Sequence, residues 1–482
     1  MRGSKLLLVC ASMFQLAVAC SPTAQPEEDM DKEQTREPPP APTAGMDTVG
    51  PNVAEPEGPA EQSRPAAVDP TALVAGSASW MVGLRGFQVA VGTLAYESDG
   101  ALVVGGAMET GGIVDGEMLV DADELQAFVA RFNRDGELLN SLVWGGAGRD
   151  GVRDVVPLAD GDLVVAGYRN APRETGSRST AEADVRRLST DGEVRWDIAF
   201  GSEETGADTA EAVALGQDGT IYVAGRLAGV ATAQGFDVGP ETFVVALSPE
   251  SGDVLWGVTL PKSLVDIATG EDGVFVLIHE LVDTDAASNR PGDMIVVKLD
   301  FEGSEVWRYT TRGRLAEDER INPFGLAVEP NAVVAFAAPS QPGAVPFLAS
   351  FGVHLSPEDG SLQHIDNLGI NYLRFARVAQ TPDGYRIIGQ HLIADDWRTR
   401  LWALDSMFQP IGEASPVSGR PNGPFAIAAS PEGALTLGGH IDSVRLGDPE
   451  ASVSAAGNAL RGSDVSWIVS LDAPQREMPA NP

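Results

Sequence analysis

Apolar residues in this chain come in short runs of β-forming side chains, not at helical spacing, and Asp-Gly punctuates the runs. The stretch from Phe128 to Gly167 shows the pattern: FVARFNRDGELLNSLVWGGAGRDGVRDVVPLADGDLVVAG. Phe128 to Phe132 reads as a strand, and Asp135-Gly136 supplies the positive φ that a tight hairpin needs. A return strand ends at Trp144, and a glycine-rich link from Gly145 to Gly151 leads into a strand over Val152–Leu158. Asp160-Gly161 then turns the chain into Leu163–Gly167. Two hairpins of this size cannot bury both faces by themselves, so neighbouring copies must stack.

The copies are present. The second turn recurs at Asp99-Gly100, Asp160-Gly161, Asp218-Gly219, Asp272-Gly273, Pro330-Asn331, Asp383-Gly384 and Glu432-Gly433, roughly 50 to 60 residues apart. The other hairpin recurs over 128–144, 185–196, 243–256, 295–307, 351–365 and 401–411, and a seventh copy stops after the single strand 467–471. The missing strand lies at the front, where Ser79-Trp80-Met81-Val82-Gly83 precedes the strand over Gln88–Ala95. On this reading Trp80 aligns with Trp144, Trp196, Trp256 and Trp307. A strand present before the first repeat and absent after the last closes a ring and removes the exposed sheet edge. The expectation is an all-β chain, a seven-bladed β-propeller over residues 77–472 closed by its N-terminal strand.

The phrase from Ala127 to Tyr168 resembles the bacterial β-propeller repeat family of secreted and surface proteins, which is rich in delta-proteobacterial lipoproteins. The resemblance covers residues 128–225 well and thins in blades five and six. It implies the fold; that family shares no catalytic residues, so it implies none here.

The ends read differently. Residues 1–19 carry Arg2 and Lys5, an apolar run from Leu6 and small residues before Cys20, the make-up of a signal peptide. Leu16-Ala17-Val18-Ala19-Cys20 resembles a bacterial lipobox, although Ala17 stands where a large residue is usual. The expectation is cleavage before Cys20 and acylation of its sulfur, with plain secretion as the alternative. Cys10, the other cysteine, lies within the signal, so no disulfide is expected. Residues 20–70 are rich in Pro, Ala, Glu and Gln and too poor in large apolar groups to offset their ordering entropy. They read as a disordered tether with a span of roughly 40 Å. Residues 473–482 read as a disordered tail.

The net charge is −36 and becomes two units more negative once Arg2 and Lys5 leave with the signal. That argues against nucleic acid or anionic lipid as partners. Candidate chemistry is sparse. Gly145–Asp150 spells GGxGxD, but a calcium roll needs consecutive copies; Gly146–Gly151 spells GxGxxG, but a strand follows where a dinucleotide loop opens a helix. The turn acids Asp99, Asp135, Asp160, Asp191, Asp218, Asp272 and Asp383 all precede a glycine and read as turn geometry. His279, His391 and His440 end the second strands of three different blades, too far apart to share one metal. His354 and His364 flank a hairpin and read as surface residues. The acidic loops 115–124 and 283–293 interrupt their blades between second and third strands, and Asp121, Asp123 and Glu124 offer weak oxygen ligands to a hard cation. The recurring tryptophans resemble the docking repeats of quinoprotein dehydrogenases, but inter-blade packing accounts for them. No catalytic, cofactor or metal residue is expected.

Two functions remain in view. One is a lipid-anchored, non-enzymatic binding or scaffolding module at the outer membrane, with a protein or glycan partner. The other is a propeller enzyme, a quinoprotein-like dehydrogenase, hydrolase or lyase. Convergent His, Asp or Glu side chains at one end of the axial channel would favour the enzyme.

Overall fold

The computed structural model describes residues 78–472, apart from 86–88, 110–111, 115–116, 121–123, 147, 172–180, 205, 281–291, 313–320, 340–348, 372, 394–395, 416–423, 442–451, 456–457 and 462–464. The expected signal, Cys20, the tether and the tail lie outside the described residues.

Seven antiparallel blade sheets follow one another along the chain, with two separate two-stranded ribbons (Ala231–Ala233 with Phe236–Val238, and Ser452–Ala455 with Asn458–Arg461), and no helix occurs among the described residues. Blade one contains Ala90–Tyr96, Leu102–Met108, Gln126–Phe132 and Leu138–Trp144, paired in that order. Blades two to six repeat the arrangement over 149–200, 209–260, 263–310, 321–367 and 373–414. Blade seven takes Pro424–Ala429, Leu435–Ile441 and Val465–Leu471 from the end of the chain. Its fourth strand is Ala78–Arg85, which pairs antiparallel with Val465–Leu471 (Met81 opposite Val469, Gly83 opposite Trp467). The closure read from the sequence is therefore present. A short hairpin, Gly112–Val114 with Glu117–Val120, leaves blade one and adds to the open edge of Ala78–Arg85, extending that sheet to six strands.

The first strand of every blade is innermost. Each lies against the first strands of both neighbours, and Pro424–Ala429 returns to Ala90–Tyr96. The apolar core falls into seven clusters, one between each pair of adjacent blades. Inner strands are covered on both faces, so Leu102–Met108 and Gln126–Phe132 are buried at every position. The outermost strand of a blade is only half covered, as in Leu138–Trp144. That difference produces the unbroken apolar runs and the more polar return strands of the repeat.

One device joins successive blades. Trp196, on the outer strand of blade two, donates Nε1–H to the Pro249 carbonyl in a turn of blade three, 2.9 Å away. Its ring lies against Gly252 of that turn, where an added Cβ would sit 2.7 Å from the indole, and Gly252 has φ +72°. Trp80 repeats this on Arg134 O and Gly136, Trp256 on Phe301 O and Gly303, and Trp307 on Pro357 O and Gly360. A cation one strand further in reaches the same carbonyl: Arg187 Nη1 bonds Pro249 O at 2.7 Å, and Lys298 Nζ bonds Pro357 O at 2.8 Å. These buried charges are balanced from within their own blade, since Arg187 pairs with Asp160 and Asp162, and Lys298 with Asp272.

The register corrects one alignment. Trp196 lies opposite Arg187, and the matching pair in blade one is Asn140 opposite Arg131. Trp144 pairs with Ala127, at the far end of the strand. Asn140 Nδ2 and Arg131 Nη1 both donate to Thr190 O of blade two, at 3.2 and 2.7 Å. An amide there does the work of the indole, and Trp144 belongs to a different position. In blade six the matching pair is Ala403 with Gly412. Blade seven has no turn between its third and fourth strands, because the two ends of the chain meet there, so nothing stands opposite to be held.

Substitution of Trp196 separates the two parts of this contact. Trp196→Phe keeps the ring and loses the N–H, and should cost about 1 kcal/mol. Trp196→Ala also empties the wedge and should cost about 3–5 kcal/mol. Urea unfolding of the two variants checks the order; equal losses would show that the indole packing carries nothing beyond its hydrogen bond.

Candidate functional site

All seven innermost strands carry a bulge at the same place, between Val91 and Thr93, Val152 and Asp154, Ala210 and Ala212, Leu264 and Asp266, Pro323 and Gly325, Arg374 and Arg377, and Pro424 and Ala426. A bulge adds a residue, bends the strand and re-aims a side chain. Here the bends bring the strands together around the axis. Gly92 shows how close they come: a Cβ there would lie 2.5 Å from the Val152 carbonyl of the next blade.

At three of these bulges the residue that resumes the pairing is charged. Asp154 of blade two accepts from Thr93 Oγ1 of blade one at 3.0 Å and from its neighbour Val155 N at 2.9 Å. Its second oxygen accepts from Val213 N of blade three at 2.9 Å. Asp266 of blade four repeats the arrangement, accepting from Ile267 N and from Leu326 N of blade five, both at 2.9 Å. Each carboxylate thus ties its own bulge to the next blade. Arg377 sits at the corresponding bulge of blade six and donates to the carbonyl of Ala376 at 2.9 Å.

Asp154 and Asp266 are half-buried and Arg377 is exposed, with protein atoms densely placed around all three. Burial pushes the Asp154 carboxyl up to about 6 against the three hydrogen bonds that favour its charge. Burial also pushes Asp266 up to about 7, where the charge of Asp154 adds and that of Arg377 opposes. Arg377 is drawn below its usual range by burial, while Asp266, Glu211 and Asp154 support its charge and Arg153 works against it. The axis therefore carries a group made of two carboxyls, both pushed above the usual carboxylate range, and the Arg377 guanidinium. Chemically it can bind a charged group or exchange a proton, although both oxygens of each aspartate are already engaged by donors.

The sequence did not single out this group. Its signal was a charge inside an apolar inner strand, six positions ahead of the turn aspartate: Asp154 before Asp160, Asp266 before Asp272, Arg377 before Asp383.

The other candidates fall as follows. The turn acids do shape turns: Asp99 Oδ1 accepts from Ala101 N, Asp160 from Asp162 N and Asp218 from Thr220 N, across glycines with φ of +86°, +85° and +86°. Asp150 of the GGxGxD phrase accepts from Gly146 N at 3.1 Å and Asn170 N at 3.4 Å, which pins the link between blades one and two. Asp208 does the same before blade three, accepting from Ser202 N and Ala228 N. His279, His391 and His440 lie on the second strands of blades four, six and seven, as read. Asp121 and Asp123 lie outside the described residues, as do residues 281–291 of the second acidic loop.

His364 is exposed, as read, but His354 requires a correction. His354 is 3% exposed and not a surface residue. It lies directly opposite His364, at the same register as Arg187 and Trp196 in blade two. The two imidazoles stack with centroids 4.0 Å apart, and Asp366 Oδ2 lies 3.0 Å from His354 Nε2 and 3.3 Å from His364 Nε2. A lone histidine in a strand reads as polar, and only the cross-strand register places it in the interior.

No protein-family model matches the sequence, and no curated protein matches it. Among solved structures, the chain is similar to a protein of unknown function from Dyadobacter fermentans (11% identity, covering 81% of this chain and 98% of that one, TM-score 0.43). It is also similar to Sqt1 of Saccharomyces cerevisiae (9% identity, 81% and 98% covered, TM-score 0.43). A third is a protein of unknown function from Bacteroides caccae (12% identity, 59% and 89% covered, TM-score 0.34).

The raised carboxyl of Asp266 gives a pH dependence with a definite sign. Its contribution to stability is fully present below the ordinary carboxylate value near ~4 and is lost as pH rises through about 7. Asp266→Asn cannot ionise. Thermal midpoints of the two proteins from acid to neutral pH should show wild type losing ground to the variant across that window, by ~1.4 kcal/mol for each tenfold difference in proton affinity. A gap that stays constant with pH would show that Asp266 keeps the same proton affinity folded and unfolded.

Proposed function

We propose that this chain is a lipid-anchored, extracytoplasmic propeller that acts as a non-enzymatic binding or scaffolding module at the outer membrane. The observation that carries the reading is the use made of the axial charges. Asp154 and Asp266 spend their oxygens on backbone N–H groups of their own blade and of the next, which suits a rigid platform better than a reacting centre. The anchor rests on Cys20 and the residues before it, and the tether on the composition of 20–70. A strongly acidic surface suits a protein or glycan partner and not nucleic acid. Among the described residues, no helix is long and apolar enough to cross a membrane.

The axial group also favours a second reading. Two carboxyls with raised pKa beside Arg377 are groups that general acid–base chemistry uses, and an enzyme of this kind would have its site in the funnel above them.

Anchoring is tested by fractionating cells that express the tagged full chain or its Cys20→Ala variant, with labelled palmitate in the medium. The wild-type chain should pellet with membranes and carry label, and the variant should do neither. A wild-type chain that is soluble and unlabelled would overturn the anchor. Cross-linking and co-purification from the membrane extract should then recover a stoichiometric partner, and its absence together with turnover that Asp266→Asn abolishes would favour the enzyme.

A further inference from the structure

The interface between blades five and six departs from the others, and the departure gathers three ligand-type side chains. In blades two and four, the position held by His354 carries a cation and that held by His364 carries a tryptophan, both bonded to a carbonyl of the next blade. In blade five two imidazoles stand there. The facing turn has changed to match. Phe408, with φ +60°, occupies the place of the repeat's glycine, and its ring meets His354 edge-on at 4.3 Å. Phe408 also stacks on Tyr385 at 4.7 Å, so this face of His354 is held by a packed aromatic cluster.

Strand geometry explains the convergence. Residues two apart in a strand share a face, so His364 and Asp366 project together, and His354 joins them as the cross-strand partner of His364. The residue opposite Asp366 is Gly352. A Cβ added to it would stand 3.7 Å from His354 Nε2, so Gly352 lies directly beside that nitrogen.

We propose that His354, His364 and Asp366 form a binding site for a divalent transition-metal ion of the Zn2+ class, with a further coordination position open to water or to a donor from a bound partner. Their ligand atoms all lie within 4.8 Å of one another. The spacings of 3.0 and 3.3 Å from Asp366 Oδ2 to the two Nε2 atoms approach the edge of a tetrahedron with ~2.0–2.1 Å bonds, about 3.3 Å. His354 Nε2 is buried and makes no well-aligned hydrogen bond, although a carboxylate oxygen is near. An ion would take the place of this contact once the exposed His364 ring tilts off its 15° stack on His354, so that both in-plane lone pairs aim at it. Two imidazoles and one carboxylate make a borderline donor set that suits zinc and its neighbours over calcium or magnesium. The open position faces outward, because the His364 side chain is 55% exposed and that of Asp366 24%. All three ligands come from one blade, so the ion would not be a clasp between blades; it would present a Lewis-acidic point on the side of the propeller. The site is independent of the anchor and of the axial group.

The test is calorimetric titration of Zn2+ into the full chain, purified in detergent and stripped with a chelator, alongside His364→Ala and Asp366→Asn. His364 is largely exposed, so its variant should keep the thermal midpoint of the metal-free protein. One ion should bind each wild-type chain, about tenfold or more weaker in either variant, and Co2+ in its place should give the intense visible absorption of a four-coordinate ion only in the wild type. Equal Zn2+ binding by wild type and His364→Ala, or no saturable binding by the wild type, would overturn the proposal.

Discussion

Five of the seven blades are secured by donating a hydrogen bond onto the turn of the next. The indole N–H of Trp196 and the guanidinium of Arg187 converge on one carbonyl, and the flat ring lies on a glycine whose lack of a Cβ admits it. A carbonyl oxygen has two lone pairs, so both donors are satisfied by one acceptor. The contact explains why a tryptophan and the glycine of the next blade's turn recur together along the chain, joined by a basic residue in blades two and four. It also explains the exceptions, since blade six faces a blade without a turn and carries Ala403 and Gly412 instead.

A second constraint operates at the axis. Seven strands cannot crowd around one line as straight ribbons, and a bulge in each bends it away. A bulge frees backbone groups, and in blades two and four an aspartate answers for its own blade and the next. The cost is a carboxylate held among protein atoms near Arg377, which lifts its proton affinity toward neutral pH. The same residues that fasten the ring thereby give its centre an unusual charge.

Blade five combines the two themes. The register of the inter-blade contact is kept, but the donors are imidazoles and the facing turn holds Phe408 in a backbone conformation that glycine takes elsewhere. Contact through an N–H and a cation has been exchanged for aromatic packing, and Asp366 is brought under both rings.

The sequence alone determined the number of blades, the order of strands within them and the closure by Ala78–Arg85. These follow from a repeated turn chemistry and from counting one strand too many at the front and one too few at the end. It also determined the role of the turn acids, because Asp before a positive-φ glycine has a local explanation. Register across strands needed the tertiary structure. Asn140 stands four residues after its turn glycine, as Trp196 does, and Trp144 stands eight after it, but the cross-strand pairs were needed to show that Asn140 does the work of tryptophan. Burial of His354 and the meeting of Asp154 with Asp266 and Arg377 were decided there too. Those side chains come from different strands or different blades, and only the circular packing of the sheets brings them together.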